Sequence, residues 1–344
     1  MRITVEAWAP DYGGEVDLRG PDDLTVERPD TACESRPWGP VAPEAGGEFS
    51  ARPVGFVDGT RRVDARLFLS DNGSAPIPGV AGSVGVGAVV CDAATPGVNG
   101  RKGPEWWDRK TAQITELRLI RFLATGGGQR AAISAGPGLE YQSLPVNGQS
   151  VDEMVSAVHN QMRAREAELA QNLAQRDDEL VFIDGPLAVM RPGATTVVGF
   201  IKAHHARYLE DAEEAVLGEL GCGERTPLFA FGEPRPRYSW YLRLCARDAT
   251  LHAWHGLVRC ETPVHVGLDR AVSLADASAA ILPAFASLPH WDARAPHNLL
   301  PLATFECLEH LQQRLGGLLG DEEVVYKMIR DFARSCDGEV TKIG

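Results

Sequence analysis

The sequence predicts an α/β protein, a mixed sheet flanked by helices, and three observations point there. Two apolar runs rich in Val, Ile and Phe each stop at Asp-Gly: Pro53-Val-Gly-Phe-Val-Asp58-Gly59-Thr60 and Leu180-Val-Phe-Ile-Asp184-Gly185-Pro186. Runs of that composition closed by a turn-forming pair read as buried strands. The third observation is a long amphipathic helix between them, opened by Ser150. If the two strands are neighbours, Asp58 and Asp184 converge, and converging carboxylates are how proteins hold hard divalent cations. The plainer reading of each copy is a turn, since Asp-Gly is a common turn dipeptide.

Taken in chain order, residues 1–48 are rich in Pro, Gly, Asp and Glu and lack periodicity, which predicts an irregular arm. The β pattern begins at Val54, and Val63–Leu69 continues as a strand after the first Asp-Gly. A Gly/Pro/Ser-rich loop at 71–82, a strand at Ser83–Cys91 and a loop at 92–104 follow. Ile114–Ala124 alternates in part and reads as a strand, with a helix as the alternative. Ser150-Val-Asp-Glu153 is a capping box, in which the Ser oxygen and the Glu carboxylate satisfy free amides of the first helical turn. Val151, Met154, Val155, Val158, Met162, Leu169 and Leu173 then fall on one stripe, at about 100° per residue. Glu166 lands on the margin of that stripe and Glu168 well round the flank, towards solvent. Glu166 thus reads either as a carboxylate reaching the site of Asp58 and Asp184 or as a snorkelling surface residue.

Beyond Asp184, Thr196–Ile201 is a strand that ends at Lys202, with His204 and His205 beside it as surface or structural residues. A helix over 207–220 stops at Gly221. Strands are expected at 226–232, 238–245 and 252–260, helices at 274–286, 299–316 and 321–335, and a short tail at 336–344. The domain proper is therefore 49–335.

Net charge is −13, from 34 basic against 47 acidic residues, which argues against a protein that coats nucleic acid electrostatically. It leaves room for an enzyme that grips nucleic acid locally, because metal-binding carboxylates themselves add negative charge that the ions cancel. Arg61 and Arg62 follow the first Asp-Gly. Arg225, Arg235, Arg237, Arg243 and Arg247 interleave with Tyr238, Trp240 and Tyr241, which fits either a nucleic-acid groove or a solvated β-ribbon with a half-buried aromatic face. Trp106 and Trp107 read as packing in a long loop rather than base stacking. The 7 cysteines are scattered, with no Cys-x-x-Cys, so neither a zinc ribbon nor a secreted disulfide framework is expected. With no basic start before an apolar core and no apolar run of about 20 residues, the expected compartment is the cytoplasm, away from membranes. Gly85-Val-Gly87 and Gly126-Gly-Gly128 lack the residues of a phosphate loop or dinucleotide fingerprint. No Gly-x-Ser-x-Gly elbow is present.

Three β-rich segments, a helix, a strand ending in Asp and a further strand and helix form the element order of an RNase H-like α/β fold. In that order an antiparallel meander is extended by parallel strands, and the first and fourth strands are neighbours. Phe56-Val-Asp-Gly-Thr60, Phe182-Ile-Asp-Gly-Pro-Leu187 and Val198-Gly-Phe-Ile-Lys202 resemble the motifs of the NurA family of nucleases. Gly223-Glu-Arg-Thr-Pro-Leu-Phe229, Ser239-Trp-Tyr-Leu-Arg243 and Arg294-Ala-Pro-His-Asn-Leu-Leu-Pro301 are similar to a bacterial, actinobacterial-type branch of that family. The resemblance spans about residues 50–330.

What the resemblance implies is a metal-dependent deoxyribonuclease of DNA end resection, a 5′-to-3′ exonuclease with single-strand endonuclease activity. It would act as a homodimer with a HerA-type hexameric translocase, on DNA, with Mn²⁺ or Mg²⁺. Asp58 and Asp184 match the family's two metal-binding aspartates. Glu166 fits its glutamate, and Glu116 is the rival. Where archaeal members carry a C-terminal histidine this chain has Pro301-Leu-Ala-Thr-Phe-Glu306, so Glu306 is the candidate fourth ligand and His297 the other. That departure opens a second expectation, a catalytically weak NurA-like binding or scaffold subunit.

The chemistry explains the residue types. Phosphodiester hydrolysis needs an activated water and stabilisation of the leaving oxygen, which two divalent ions about 3.5–4 Å apart supply. Carboxylates suit Mg²⁺ or Mn²⁺ rather than zinc or copper. Lys202 would steady a phosphate as a point charge, or is an ordinary strand-end lysine. Arg61, Arg62, Arg225 and Arg243 are the candidate DNA contacts.

Overall fold

The structure is a computed structural model. It describes residues 2–6, 28–43, 49, 52–70, 75–91, 113–176, 179–187, 193, 195–202, 207–231, 236–247, 254–286, 306–335 and 341–342. The chain is α/β, with one large mixed sheet flanked by helices. Strands β1 (Arg2–Val5), β2 (Val54–Ser70), β3 (Ile77–Cys91), β4 (Gln113–Thr125), β5 (Ala131–Ser134) and β6 (Glu140–Pro145) precede the long helix α1 (Val151–Arg176). Then come β7 (Leu180–Asp184), β8 (Val197–Ile201), the short helix α2 (Asp211–Ala215), β9 (Phe229–Phe231), β10 (Arg237–Arg243) and β11 (Leu257–Pro263). Helices α3 (Leu268–Ile281), α4 (Glu306–Leu319) and α5 (Glu322–Ser335) and the two-residue β12 (Thr341–Lys342) complete it.

The sheet order is β12-β5-β6-β4-β3-β2-β7-β8-β11-β10-β9, with β1 paired to β2 off that path. β2, β3 and β4 form an antiparallel meander. β7 pairs in parallel with the first residues of β2, Val54↔Leu180 to Val57↔Ile183, and β8 is parallel to β7. The expected adjacency of the first Asp-Gly strand and the second is therefore present. β1 takes the same edge of β2 further along, Arg2↔Ser70 to Val5↔Leu67.

Strand alternation distributes the core. Val57, Val84, Val181 and Ile183 face α1, where Met154, Val155, Val158, Leu169 and Leu173 meet them. Phe56, Phe182, Phe200 and Trp240 face the other way, under α3 and α4. A third cluster joins Leu67, Leu69 and Leu123 to Val325 and Ile329 of α5. Fully burying one such side chain is worth about 1.5–3 kcal/mol, so the three layers hold the sheet from both faces. The Gly85-Val-Gly87 run is a seat for α4: a Cβ on Gly87 would come within 2.6 Å of Leu311 Cδ1, and one on Gly85 within 3.4 Å of Leu315.

Several expectations change. The first Asp-Gly does not end a strand: Asp58 and Gly59 sit inside the 17-residue β2, opposite Gly87 and Val86. The arm is not irregular throughout, because Arg2–Val5 is a strand and Asp30 and Val41 bridge to Ala230 and Arg225. The helix expected over 207–220 shrinks to α2 and a single 3-10 turn, Val216–Gly218. β5 and β6 were not anticipated, and β12 places part of the tail against β5. Among the described residues no helix is long and apolar enough to cross a membrane.

Candidate active site

β2 and β7 are parallel neighbours whose connections leave in opposite directions, β2 to β3 on one side and β7 to β8 on the other. Asp184 ends β7, whereas Asp58 lies inside β2, where β7 no longer pairs with it. Each stands one residue past the last paired rung, Val57↔Ile183. Their neighbour β8 contributes a third group. Each of the three parallel strands carries Phe and, two residues on, a charged side chain: Phe56 and Asp58, Phe182 and Asp184, Phe200 and Lys202. Alternation puts all three charges on the face of the phenylalanines. There Lys202 Nζ is ion-paired to Asp184 Oδ2. Asp58 Oδ1 accepts the amide of Gly59 at 2.8 Å.

Glu166 reaches the same place from the α1 face. The capping box holds the start of α1 as expected: Glu153 N donates to Ser150 Oγ at 3.2 Å, and Ser150 N to Glu153 Oε2 at 3.0 Å. Glu166 lies four turns on, over Gly59, where an added Cβ would collide with its carboxylate and with Met162 Cγ at 2.9 Å. Gly59 is thus small because a carboxylate crosses it. Glu166 is only 4 % exposed. Burial first, and then the charges of Asp58 and Asp184 against a partial offset from Arg163, push its carboxyl up to about 8. No hydrogen bond contributes. The margin position read from the helical period is therefore buried, not snorkelling.

The turn after Asp184 is held firmly. Gly185 has φ +93°, a left-handed conformation that suits glycine. Leu187 N donates to Glu261 Oε1 at 2.7 Å, and Leu187 O accepts from Arg237 Nη2 at 2.8 Å. Glu261 is fully buried and shared with Arg259 at 2.8 Å.

The other candidates are not brought there. Glu116 lies on β4, two strands from Asp58, and pairs with Arg118 at 2.7 Å. Glu306 begins α4, but its side chain is outside the described residues, as are His297, His204, His205, Trp106 and Trp107. Arg62 binds Asp64 and the Leu319 and Gly320 carbonyls at the end of α4, so it fastens that helix. Arg225 is fully buried, paired with Glu34 of the arm at 2.9 Å and Asp276 at 2.7 Å. Arg243 is buried too, donating to the carbonyls of His255 and Leu217. Neither can touch DNA from there. Trp240 and Tyr241 are likewise interior, so β10 is neither groove nor solvated ribbon. Arg61 remains close enough to α1 to act on His159. The sequence reading missed Arg163, whose signal was its place one turn before Glu166 on the same face.

The site tests for a metal in two ways. Its donor set is all carboxylate, with one carboxyl buried beside two others, which fits a hard divalent cation. In the conformation seen, however, no group of three His, Cys, Asp or Glu among the described residues is close enough to hold an ion. The Lys202 ion pair and the Gly59 amide occupy Asp184 and Asp58 instead. No protein-family model matches the sequence, and no curated protein matches it.

Proposed function

We propose that the chain is a metal-dependent phosphodiester hydrolase on an RNase H-like core. More particularly, we read it as a NurA-like deoxyribonuclease acting on DNA ends. The observation that carries this reading is that buried Glu166 of α1 feels the charges of both Asp58 and Asp184, which follow the last paired rung of β2 and β7. The antiparallel meander β2-β3-β4, extended by parallel β7 and β8, supports the RNase H-like core. The motif resemblance supports the substrate, the 5′-to-3′ polarity, single-strand endonuclease activity, a homodimer and a HerA-type partner.

Asp58, Glu166 and Asp184 would hold Mn²⁺ or Mg²⁺, with Glu306 the candidate fourth ligand. Bound ions would supply an activated water and neutralise the leaving oxygen. Glu166, raised to about 8, keeps a proton near neutral pH that a bound cation would displace. Lys202, ion-paired to Asp184, would steady a phosphate as a point charge. Arg61 is the remaining candidate contact to the DNA backbone.

A second reading has its own observation. The Lys202–Asp184 pair already neutralises one ligand, which favours a weakly catalytic binding subunit working beside a translocase. End-labelled linear DNA incubated with Mn²⁺ or Mg²⁺ separates the two. Metal-dependent degradation by wild type, lost in both Asp58→Ala and Asp184→Ala, supports the enzyme. No degradation at any protein level overturns it.

A further inference from the structure

Arg163 belongs to neither the three carboxylates nor the hydrophobic layer, yet it reaches from the helix of Glu166 to the turn after Asp184. On α1 it is flanked by His159 four residues before and Glu166 three residues after, all on one face. Its Nε donates to His159 Nε2 at 3.0 Å, and its Nη1 to the Pro186 carbonyl at 3.1 Å. The guanidinium also lies against Gly185, where a Cβ would stand 3.2 Å from Nη1. One planar group thus ties the helical turn that carries Glu166 to the turn that follows Asp184. Burial, with Arg163 and Arg61 beside it, lowers His159 to about 4, so its Nε2 is free to accept that bond.

We propose that Arg163 is a positioning residue: a two-point strap that fixes Glu166 on α1 relative to Asp184 at the end of β7, and so sets the spacing of the cation site. The inference rests on the metal-site reading above. The strap needs the guanidinium fork, because two bonds leave it in divergent directions at fixed geometry. A lysine keeps the charge near the carboxylates and loses that geometry. Charge and positioning are therefore separable.

The test is Mn²⁺ binding to the full chain, followed by titration calorimetry, for wild type, Arg163→Lys, Arg163→Met and His159→Phe. Groups that orient metal ligands typically contribute 10–100-fold to affinity. Arg163→Lys and Arg163→Met are expected to weaken Mn²⁺ binding to that extent alike. His159→Phe, which keeps the Pro186 bond, is expected to weaken it less, and it carries the test if either Arg163 variant fails to fold. Wild-type affinity in Arg163→Lys, or in both Arg163→Met and His159→Phe, overturns the proposal while leaving the metal site standing. A wild-type chain that binds no Mn²⁺ overturns the metal-site reading itself.

Discussion

Asp64, in β2, and Glu166, packed over Gly59 of the same strand, are both buried carboxylates, and their surroundings could hardly differ more. Asp64 accepts from Arg62 at 2.8 Å, Tyr141 at 2.8 Å, Arg121 at 3.4 Å and the Ser83 hydroxyl. Arg62 and Arg121 in turn donate to the Leu319 carbonyl at the end of α4. Every oxygen is used, and the network joins β2, β3, β4 and β6 to α4. Glu166 has the charges of two carboxylates against it, a partial offset from Arg163 alone, and no hydrogen bond behind its raised pKa. A buried carboxylate surrounded by donors is architecture. One surrounded by carboxylates is costly unless a cation joins it.

The largest expected contrast is in pH dependence. In metal-free protein, the raised Glu166 pKa contributes stability that is full below its ordinary value of 4.5 and is lost as pH rises to about 8. The loss is about 1.4 kcal/mol per pH unit, at most about 5 kcal/mol in all. Denaturant unfolding of Glu166→Gln across that window is expected to show the slope removed. Asp64→Ala is expected to cost about 3–5 kcal/mol, because it takes the carboxylate partner from buried Arg121 and half-buried Arg62. An Asp64→Ala chain as stable as wild type would erase the distinction between the two sites. Gly59→Ala sharpens it at lower cost. The new methyl collides with Glu166 and Met162, so a loss of about 1–3 kcal/mol is expected, together with weaker Mn²⁺ binding. Ser150→Ala removes only the helix cap, at about 1 kcal/mol, and is expected to leave Mn²⁺ affinity unchanged.

The contrast also shows what a sequence exposes. Phe56, Phe182 and Phe200 mark their strands through local composition, and the capping box marks the start of α1 through spacing alone. Glu166 was legible because the helical period placed it against the stripe. Arg225 and Arg243 were not, because their burial depends on Glu34, Asp276 and backbone carbonyls far along the chain. Nothing local separates a core arginine from one that waits for DNA. The two Asp-Gly pairs failed as twins for the same reason. Gly185 turns at φ +93°, whereas Gly59 continues a strand because β3 pairs it through Val86.

Mn²⁺ titrated near neutral pH into wild type, Asp184→Ala and Glu166→Gln decides whether the Glu166 cluster is a cation site. Saturable binding in wild type, lost in both variants and retained in Ser150→Ala, is the expected result. Equal binding in wild type and Glu166→Gln, or none in wild type, would contradict it.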